Sequence, residues 1–209
     1  MKKENHQLID VSIVMGSISD WDAMKPGCET FNQYNIKYDI NVLSAHRNPI
    51  ATHEYAINAD KRGVKVIIAG AGGAAHLPGV IAASTVLPVI GVPIKTSLAG
   101  GLDSMLSIVQ MPKGVSVATV GVNNSTNAAL LAIQMLALSN EDLKEKIIIE
   151  RKKKEQEAQM FTHEWFGKNL EKREKSASSY SKDFEPLLSG PKAAFLGWVI
   201  KRYNEHKIY

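Results

Sequence analysis

The chain has little of what marks a secreted or membrane protein. It contains one cysteine, Cys28, in 209 residues, so no disulfide can form within the chain and a reducing compartment suits it. No apolar run approaches the roughly 18 residues of a membrane-spanning helix. The opening MKKENHQLID lacks the apolar segment of a signal peptide. These absences predict a cytoplasmic protein with no membrane partner.

Aromatic residues are also scarce, at 7%, and charge of either sign is in little excess, with a net charge of +4. The apolar fraction of 44% and the charged fraction of 22% are those of a globular domain. Acidic and basic side chains alternate along EDLKEKIIIERKKKEQEAQ, which favours a solvated helix. The run RKKK (151–154) leaves a nucleic-acid surface open as an alternative, but the alternation of charge argues against it, and we expect no nucleic-acid partner.

Short apolar runs alternate with segments of helical periodicity as far as residue 140. Five runs are short, β-rich and apolar on both faces, as buried parallel strands are; they lie at 11–15, 38–43, 64–70, 87–92 and 115–122. The helical segments lie at 19–34, 49–62, 77–85, 102–110 and 125–138. This alternation predicts an α/β fold, a three-layer α/β/α sandwich around a five-stranded parallel sheet. The flavodoxin-like strand order 2-1-3-4-5 is the natural expectation.

The chain is predicted to divide into three parts: an α/β domain at 1–140, a long C-terminal helix at 141–175, and a linker with a short apolar helix at 176–209. An apolar helix such as AAFLGWVIKRY (193–203) is seldom left uncovered. We expect it to pack on a neighbouring subunit, and docking of another protein is the alternative. Pro26 and Gly27 are expected to interrupt the first helix, and Cys28 within that helix is expected to fill the core.

Three loops at predicted strand ends carry unusual residues: MGSISD, SAHRNP and GAGGAAHLPG. Ligands of open parallel sheets bind beyond the carboxyl ends of the strands, near the point where the strand order reverses. If the order is 2-1-3, the three loops are neighbours in space. Their convergence therefore predicts a single binding site.

The first loop has hydroxyl and carboxyl groups at the start of a helix. Ser17, Ser19 and Asp20 follow Gly16, and a helix N-terminus with free N–H groups and hydroxyls suits a phosphate. Helix capping by Ser19 or Asp20 explains the same residues equally well. The G-x-G-x-x-G spacing of dinucleotide-binding loops is absent.

The second loop concentrates Ser44, His46 and Arg47 in four residues. Arg47 can bind a phosphate through paired hydrogen bonds, with Ser44 adding another. His46 is suited to proton transfer because imidazole titrates near neutrality. A solvated surface loop is the alternative, which the neighbouring polar loop makes less favourable.

The third loop is rich in glycine and alanine and holds a single ionisable residue, His76. Small residues at this density indicate close approach of the backbone to a ligand. His76 could line that pocket or be a buried histidine bonded to a carbonyl at a helix start. We assign it a structural or positioning role and give proton transfer to His46.

Six segments together resemble a known family: MGSISDW, VLSAHRNP, VIIAGAGGAAHLPGVIAA, PVIGVP, GLDSMLSIVQMPKGVSVATV and NAALLAIQML. In order from about Val11 to Leu138, they are similar to the 5-(carboxyamino)imidazole ribonucleotide mutases of purine (IMP) biosynthesis. The resemblance implies an isomerase that moves a carboxylate from the exocyclic amine to ring carbon 4 of a ribonucleotide substrate. It also implies a homo-octamer with neither a metal nor an organic cofactor.

The resemblance further implies a role for each matching residue. His46 is the general acid/base. Ser19, Ser44 and Arg47 bind the phosphate. Asp20 holds the ribose hydroxyls, and Ser17 lies near the imidazole and the carboxylate. The loop that binds the carboxylate and CO2 through its backbone contains Ala71, Gly72, Ala75, His76 and Leu77.

Two other functions compete with this one. A direct carboxylase would add free CO2 to aminoimidazole ribonucleotide; the resemblance suggests that this branch carries lysine after the SAH histidine and lacks GGAAHLPG. Arg47 and His76 therefore favour the mutase. A non-catalytic flavodoxin-like nucleotide-binding or regulatory module is the second rival, and three polar loops with a histidine among them argue against it.

Overall fold

A computed structural model describes residues 9–177, with side chains described as far as residue 160. The strands are β1 (Val11–Met15), β2 (Tyr38–Val42), β3 (Val66–Gly72), β4 (Val89–Ile94) and β5 (Ala118–Thr119). The helices are α1 (Trp21–Tyr34), α2 (Pro49–Ile57), α3 (Leu77–Ala82), α4 (Leu102–Val109), α5 (Ser125–Ala137) and α6 (Glu141–Ala177). Short 3₁₀ turns occupy Ile18–Asp20 and Asp60–Arg62.

The five strands form one parallel sheet in the order β2-β1-β3-β4-β5, which confirms the predicted fold. Val11 at the start of β1 pairs with Tyr38 on one side and Val66 on the other. β2 therefore lies on one side of β1, and the chain then crosses to the other side of β1 to form β3. The loops after these strands meet at the carboxyl edge of the sheet, as the order requires.

β3 and β4 each begin and end two residues later than the predicted 64–70 and 87–92, and the other differences concern β2 and β5. β2 is an edge strand, with Ile40 42% and Val42 48% exposed, so the expectation of burial on both faces is wrong there. Residues 115–122 contribute a strand of only two residues, because pairing with β4 is limited to Ala118 and Thr119. The loops that follow β1, β2 and β3 still meet at one cavity.

The core lies in two layers, one on each face of the sheet. Successive residues of β1 face opposite sides: Ile13 belongs to the cluster with Phe31 and Ile133, whereas Val14 belongs to the cluster with Ile81. Both faces are therefore covered by helices, as expected for a parallel sheet. Cys28 is buried in the first cluster, which confirms its expected place in the core.

α1 runs through Pro26 without ending, so the expected interruption is wrong. The hydroxyl of Ser125, at the start of α5, inserts into the helical hydrogen-bond ladder. Its Oγ accepts from Gly27 N at 3.1 Å and donates to Ala23 O at 2.6 Å. A Cβ at position 27 would lie 2.9 Å from Ser125 O, so glycine allows this approach. Ser125 thus bridges the groups that the proline-disturbed turn leaves apart.

The C-terminal helix α6 extends to Ala177, so residues 176 and 177 are helical where a linker was expected. The first compact unit of the chain ends at Ile149, within α6. The predicted linker and apolar helix otherwise lie at 178–209, outside the described residues. Among the helices of residues 9–177, none has the length and apolar character needed to cross a bilayer.

Candidate functional site

A cavity of about 610 Å³ lies at the carboxyl ends of β1 to β4, where the three predicted loops meet. Every residue proposed from the sequence lines it, with the exception of Ala75. The lining residues are Gly16, Ser17, Ser19, Asp20, Ser44, Ala45, His46, Arg47, Ala71, Gly72, Gly73, Ala74, His76, Leu77, Ile94, Lys95 and Thr96. A volume of this size is typical of small-molecule sites.

The loop after β1 is held by a capping box. Ser17 Oγ accepts from Ser19 N at 3.3 Å, and Asp20 Oδ2 accepts from Ser17 N at 3.1 Å. The capping residue is therefore Ser17 rather than Ser19 or Asp20, and Asp20 completes the capping box as its N3 partner. All three residues also line the cavity. Burial raises the pKa of the Asp20 carboxyl, and hydrogen bonds from Ser17 and Ser19 partly offset this. Asp20 is only 8% exposed, so its position is fixed before any ligand arrives.

The loop after β2 reaches back toward β1 through Arg47. Arg47 N donates to Ser44 Oγ at 3.3 Å, which shapes the turn, and Arg47 Nη2 donates to Gly16 O at 3.4 Å. Among the described residues, this long bond is the single hydrogen bond of the guanidinium. Arg47 is exposed, so most of its donors remain available to an anion in the cavity.

His46 and His76 contact each other across the cavity, an arrangement that the sequence analysis did not anticipate. His46 Nε2 lies 2.8 Å from His76 Nδ1, and the rings are nearly perpendicular, at 77° with centroids 4.9 Å apart. A hydrogen bond between two imidazoles needs a hydrogen on one nitrogen and a lone pair on the other. The pair can therefore hold a single shared hydrogen at this contact. His76 thus orients the ring proposed for proton transfer.

The loop after β3 turns at Gly73, whose φ of +68° lies in the left-handed region that glycine adopts readily. No heavy atom lies within 4 Å of the position a Cβ would take there. Ala75, two residues later, is 1% exposed and packs in the second core cluster. Its side chain is therefore a support for the loop, and Ala74 and His76 on either side face the cavity.

Sequence reasoning missed the residues at the end of β4, namely Ile94, Lys95 and Thr96. The predicted strand order did contain the signal, because β4 follows β3 and its end must border the same site. Lys95 N donates to Asn123 Oδ1 at 2.8 Å, which holds the backbone. Thr96 Oγ1 donates to Asp103 Oδ1 at 2.6 Å and keeps the pKa of that carboxyl below its ordinary value.

Smaller gaps in the prediction concern residues adjacent to those it named: Gly16, Ala45, Gly73 and Ala74 also line the cavity. Within the part of the chain that the structure describes, no group of three or more His, Cys, Asp or Glu side chains is placed to hold a metal ion. The site offers hydroxyls, a guanidinium, an ammonium, two imidazoles and exposed peptide groups. Such a set suits a small anionic ligand and one proton transfer.

The chain has relatives among known proteins. Residues 10–157 match the family described as AIR carboxylase. The N5-carboxyaminoimidazole ribonucleotide mutases of Pyrococcus abyssi and Thermotoga maritima are 56% and 55% identical over 137 residues, which are 66% of this chain and 79% and 80% of theirs. The phosphoribosylaminoimidazole carboxylase of Saccharomyces cerevisiae is 58% identical over 126 residues, 60% of this chain but 22% of that protein.

A likeness in fold accompanies the likeness in sequence. The crystal structure of Treponema denticola PurE superposes with a TM-score of 0.68, covering 74% of this chain and 96% of that one at 24% identity. At this identity the likeness bears on the fold alone.

Proposed function

The chain belongs to the AIR carboxylase family, and from this premise we propose that it is an N5-carboxyaminoimidazole ribonucleotide mutase acting in IMP biosynthesis. The observation that carries the proposal is the match to mutases over about four fifths of their length, 79% and 80%. All three cavity loops lie within residues 10–157, which match the family. The reaction moves a carboxylate from the exocyclic nitrogen to carbon 4 of the imidazole ring.

The cavity supports the binding of such a substrate. We assign its phosphate to Ser19, Ser44 and Arg47, where hydroxyls and the guanidinium lie at the ends of β1 and β2. Asp20, buried and held by its capping bonds, is assigned to the ribose hydroxyls. These assignments place the base toward the end of β3.

The remaining substrate-binding assignments concern the base and its carboxylate. Ser17 lies near both groups in this arrangement. The loop after β3 receives the carboxylate and the CO2 through its backbone; its members are Ala71, Gly72, Ala75, His76 and Leu77. The exposed peptide groups of its glycine and alanine residues suit a flat anionic ligand.

His46 is proposed as the general acid and then the general base. The bond between nitrogen and the carboxyl carbon breaks, its electron pair stays on nitrogen, and His46 supplies the proton that nitrogen takes up. Carbon 4 then attacks the freed CO2, and His46 removes the proton from that carbon. The cycle leaves the protonation of His46 unchanged, so one imidazole suffices. Its contact with His76 keeps the ring in place between the two steps.

The cavity contributes confinement. CO2 that stays beside the ring carbon reacts at an effective concentration far above that in solution. The direct carboxylase remains the rival, because carboxylases of fungi share this region. Their match is confined to about a fifth of their length, 23% and 22%, whereas the mutases match over most of theirs.

We further propose that the enzyme is a cytoplasmic homo-octamer. Leu102, Leu106 and Val109 form an exposed apolar stripe on α4, with 51%, 44% and 51% of each residue accessible, and such stripes mark contacts between proteins. Residues 176–209 are proposed to pack on a neighbouring subunit. Light scattering of the full chain tests the number of subunits. Comparison with a chain ending at 175 tests the tail, since its loss should weaken assembly. Unchanged assembly would contradict the role of the tail.

The proposed activity is tested by giving the full chain N5-carboxyaminoimidazole ribonucleotide without ATP or added bicarbonate. The mutase converts it to 4-carboxy-5-aminoimidazole ribonucleotide. Absence of product, with formation of it only from aminoimidazole ribonucleotide and bicarbonate, would show the direct carboxylase instead.

A further inference from the structure

We propose that Ser104, a buried residue of α4 outside the cavity wall, is the positioning residue that fixes the loop after β3 for carboxylate binding. The identity of the ligand rests on the proposed function, and the anchoring of the loop rests on its hydrogen bonds. Ser104 does not line the cavity and is fully buried, at 0% exposure. It acts through the backbone of Gly73.

The hydroxyl of Ser104 joins two strand ends. Its Oγ accepts from Gly73 N at 2.9 Å and donates to Ile94 O at 2.7 Å. Ile94 is the last residue of β4, and Gly73 is the first residue beyond β3. A hydroxyl has one hydrogen to donate, and here it is committed to the sheet. The hydroxyl of Ser104 thereby ties the loop to the end of β4.

A second hydroxyl of α4 holds the other side of the same residue. Ser107 Oγ lies 3.2 Å from Gly73 O and 2.8 Å from Asp103 O. Ser104 and Ser107 are three residues apart and therefore share one face of the helix. Ser104 thus bonds the N–H of Gly73, and Ser107, whose single hydrogen is shared with the nearer Asp103 O, contacts its C=O.

This double contact fixes which way the next peptide faces. In a trans peptide, the C=O and the N–H point in opposite directions. Because Gly73 O faces Ser107, the N–H of Ala74 in the same peptide faces away from α4. Ala74 is exposed and lines the cavity, and no hydrogen bond of its N–H is recorded among the described residues. The N–H is therefore available to a carboxylate oxygen.

The loop needs such support from outside. Gly73 adopts a φ of +68° with open space around its missing side chain, so packing does not hold it there. The loop's internal bonds run from Ala75 N to Gly73 O and from His76 N to Ala74 O, and they do not anchor it to the sheet. The hydroxyls of α4 supply that anchor.

The test compares Ser104→Ala and Ser107→Ala with a matched control, Ser125→Ala. Ser125 is also a buried serine that bridges a backbone N–H and a backbone C=O, but it does so between α1 and α5. All three variants remove one hydroxyl, so a general loss of stability affects Ser104→Ala and Ser125→Ala alike. Amide exchange at Gly73, kcat, KM and retention of the transferred carboxylate are measured for each.

We expect Ser104→Ala to expose the Gly73 amide to faster exchange and to lower kcat/KM by about tenfold or more, since small misplacements of binding groups are costly to catalysis. Carboxylate retention should also fall, so that more product carries label from bicarbonate in solution. Ser107→Ala should change the same quantities less, and Ser125→Ala should leave them at wild-type values. If Ser104→Ala does not fold, the comparison of Ser107→Ala with Ser125→Ala decides.

Two outcomes would overturn the inference while the proposed function stands. One is a folded Ser104→Ala enzyme with wild-type exchange at Gly73; the other is equal kinetic changes in Ser104→Ala and Ser125→Ala. An inactive wild-type chain would instead contradict the proposed function, and faster exchange of Gly73 in Ser104→Ala would still show the anchor. Failure of the Ser104 inference and failure of the proposed function therefore give different results.

Discussion

Replacing Arg47 with leucine removes the guanidinium that the proposed site uses for phosphate. Its recorded side-chain bond, to Gly16 O, is 3.4 Å long, and the residue is exposed. The variant should therefore fold with a stability within about 0.5 kcal/mol of wild type. A charge-assisted hydrogen bond contributes about 1.5–3 kcal/mol to binding, and about 1.4 kcal/mol corresponds to tenfold in Kd. We therefore expect Kd to rise about 10- to 150-fold.

Calorimetric titration with 4-carboxy-5-aminoimidazole ribonucleotide measures this change. Lys37→Met is the matched control, because it also removes one positive charge. Lys37 lies directly before β2, at the amino ends of the strands and therefore on the side of the sheet away from the cavity. Arg47→Lys keeps the charge and loses the paired geometry, so its Kd should lie between those of Lys37→Met and Arg47→Leu. A Kd for Arg47→Leu equal to that of Lys37→Met would refute the assignment of Arg47 to the phosphate.

Three further substitutions separate chemistry, binding and stability. His46→Asn should bind the product normally but lower kcat by about a hundredfold or more; near wild-type turnover would remove His46 from the mechanism. Because burial raises the pKa of Asp20, its contribution to stability is greatest at low pH and is lost as pH rises through the folded-state pKa. Asp20→Asn should therefore melt no lower than wild type at pH 7 yet bind product weakly, and a clear drop in Tm would contradict this. Ser125→Ala leaves Gly27 N–H and Ala23 C=O without the serine that bridges them, at a cost of about 2 kcal/mol in the free energy of unfolding. Tm should therefore fall by about 4–8 °C without a change in kcat. An unchanged Tm would refute the bridging role of Ser125.

The sheet could be predicted from the sequence because its signal is local. The apolar run at 11–15 is the observed β1, and the alternation of runs with helical segments sufficed for the parallel topology. The exposure of β2 was predictable but missed, because the order 2-1-3-4-5 already places this strand at the edge and Asp39 and Asn41 interrupt its apolar run. The continuity of α1 through Pro26 depends on Ser125, almost a hundred residues away in the chain.

The site was predictable to the extent that it follows from strand order. The three loops named from the sequence do meet, since the ends of β1, β2 and β3 must adjoin. The contact of His46 with His76 and the anchoring of Gly73 by Ser104 depend on side-chain directions between elements about thirty residues apart. Local sequence patterns carry no information on these directions.

Labelled bicarbonate tests most directly the proposed transfer of the carboxylate within one cavity. Unlabelled N5-carboxyaminoimidazole ribonucleotide is converted by the full chain in the presence of labelled bicarbonate and carbonic anhydrase, which keeps CO2 and bicarbonate in equilibrium. If recapture outruns escape, the product formed during early turnover carries little label. Product labelled to the level of the bicarbonate pool from the first turnovers would contradict the account.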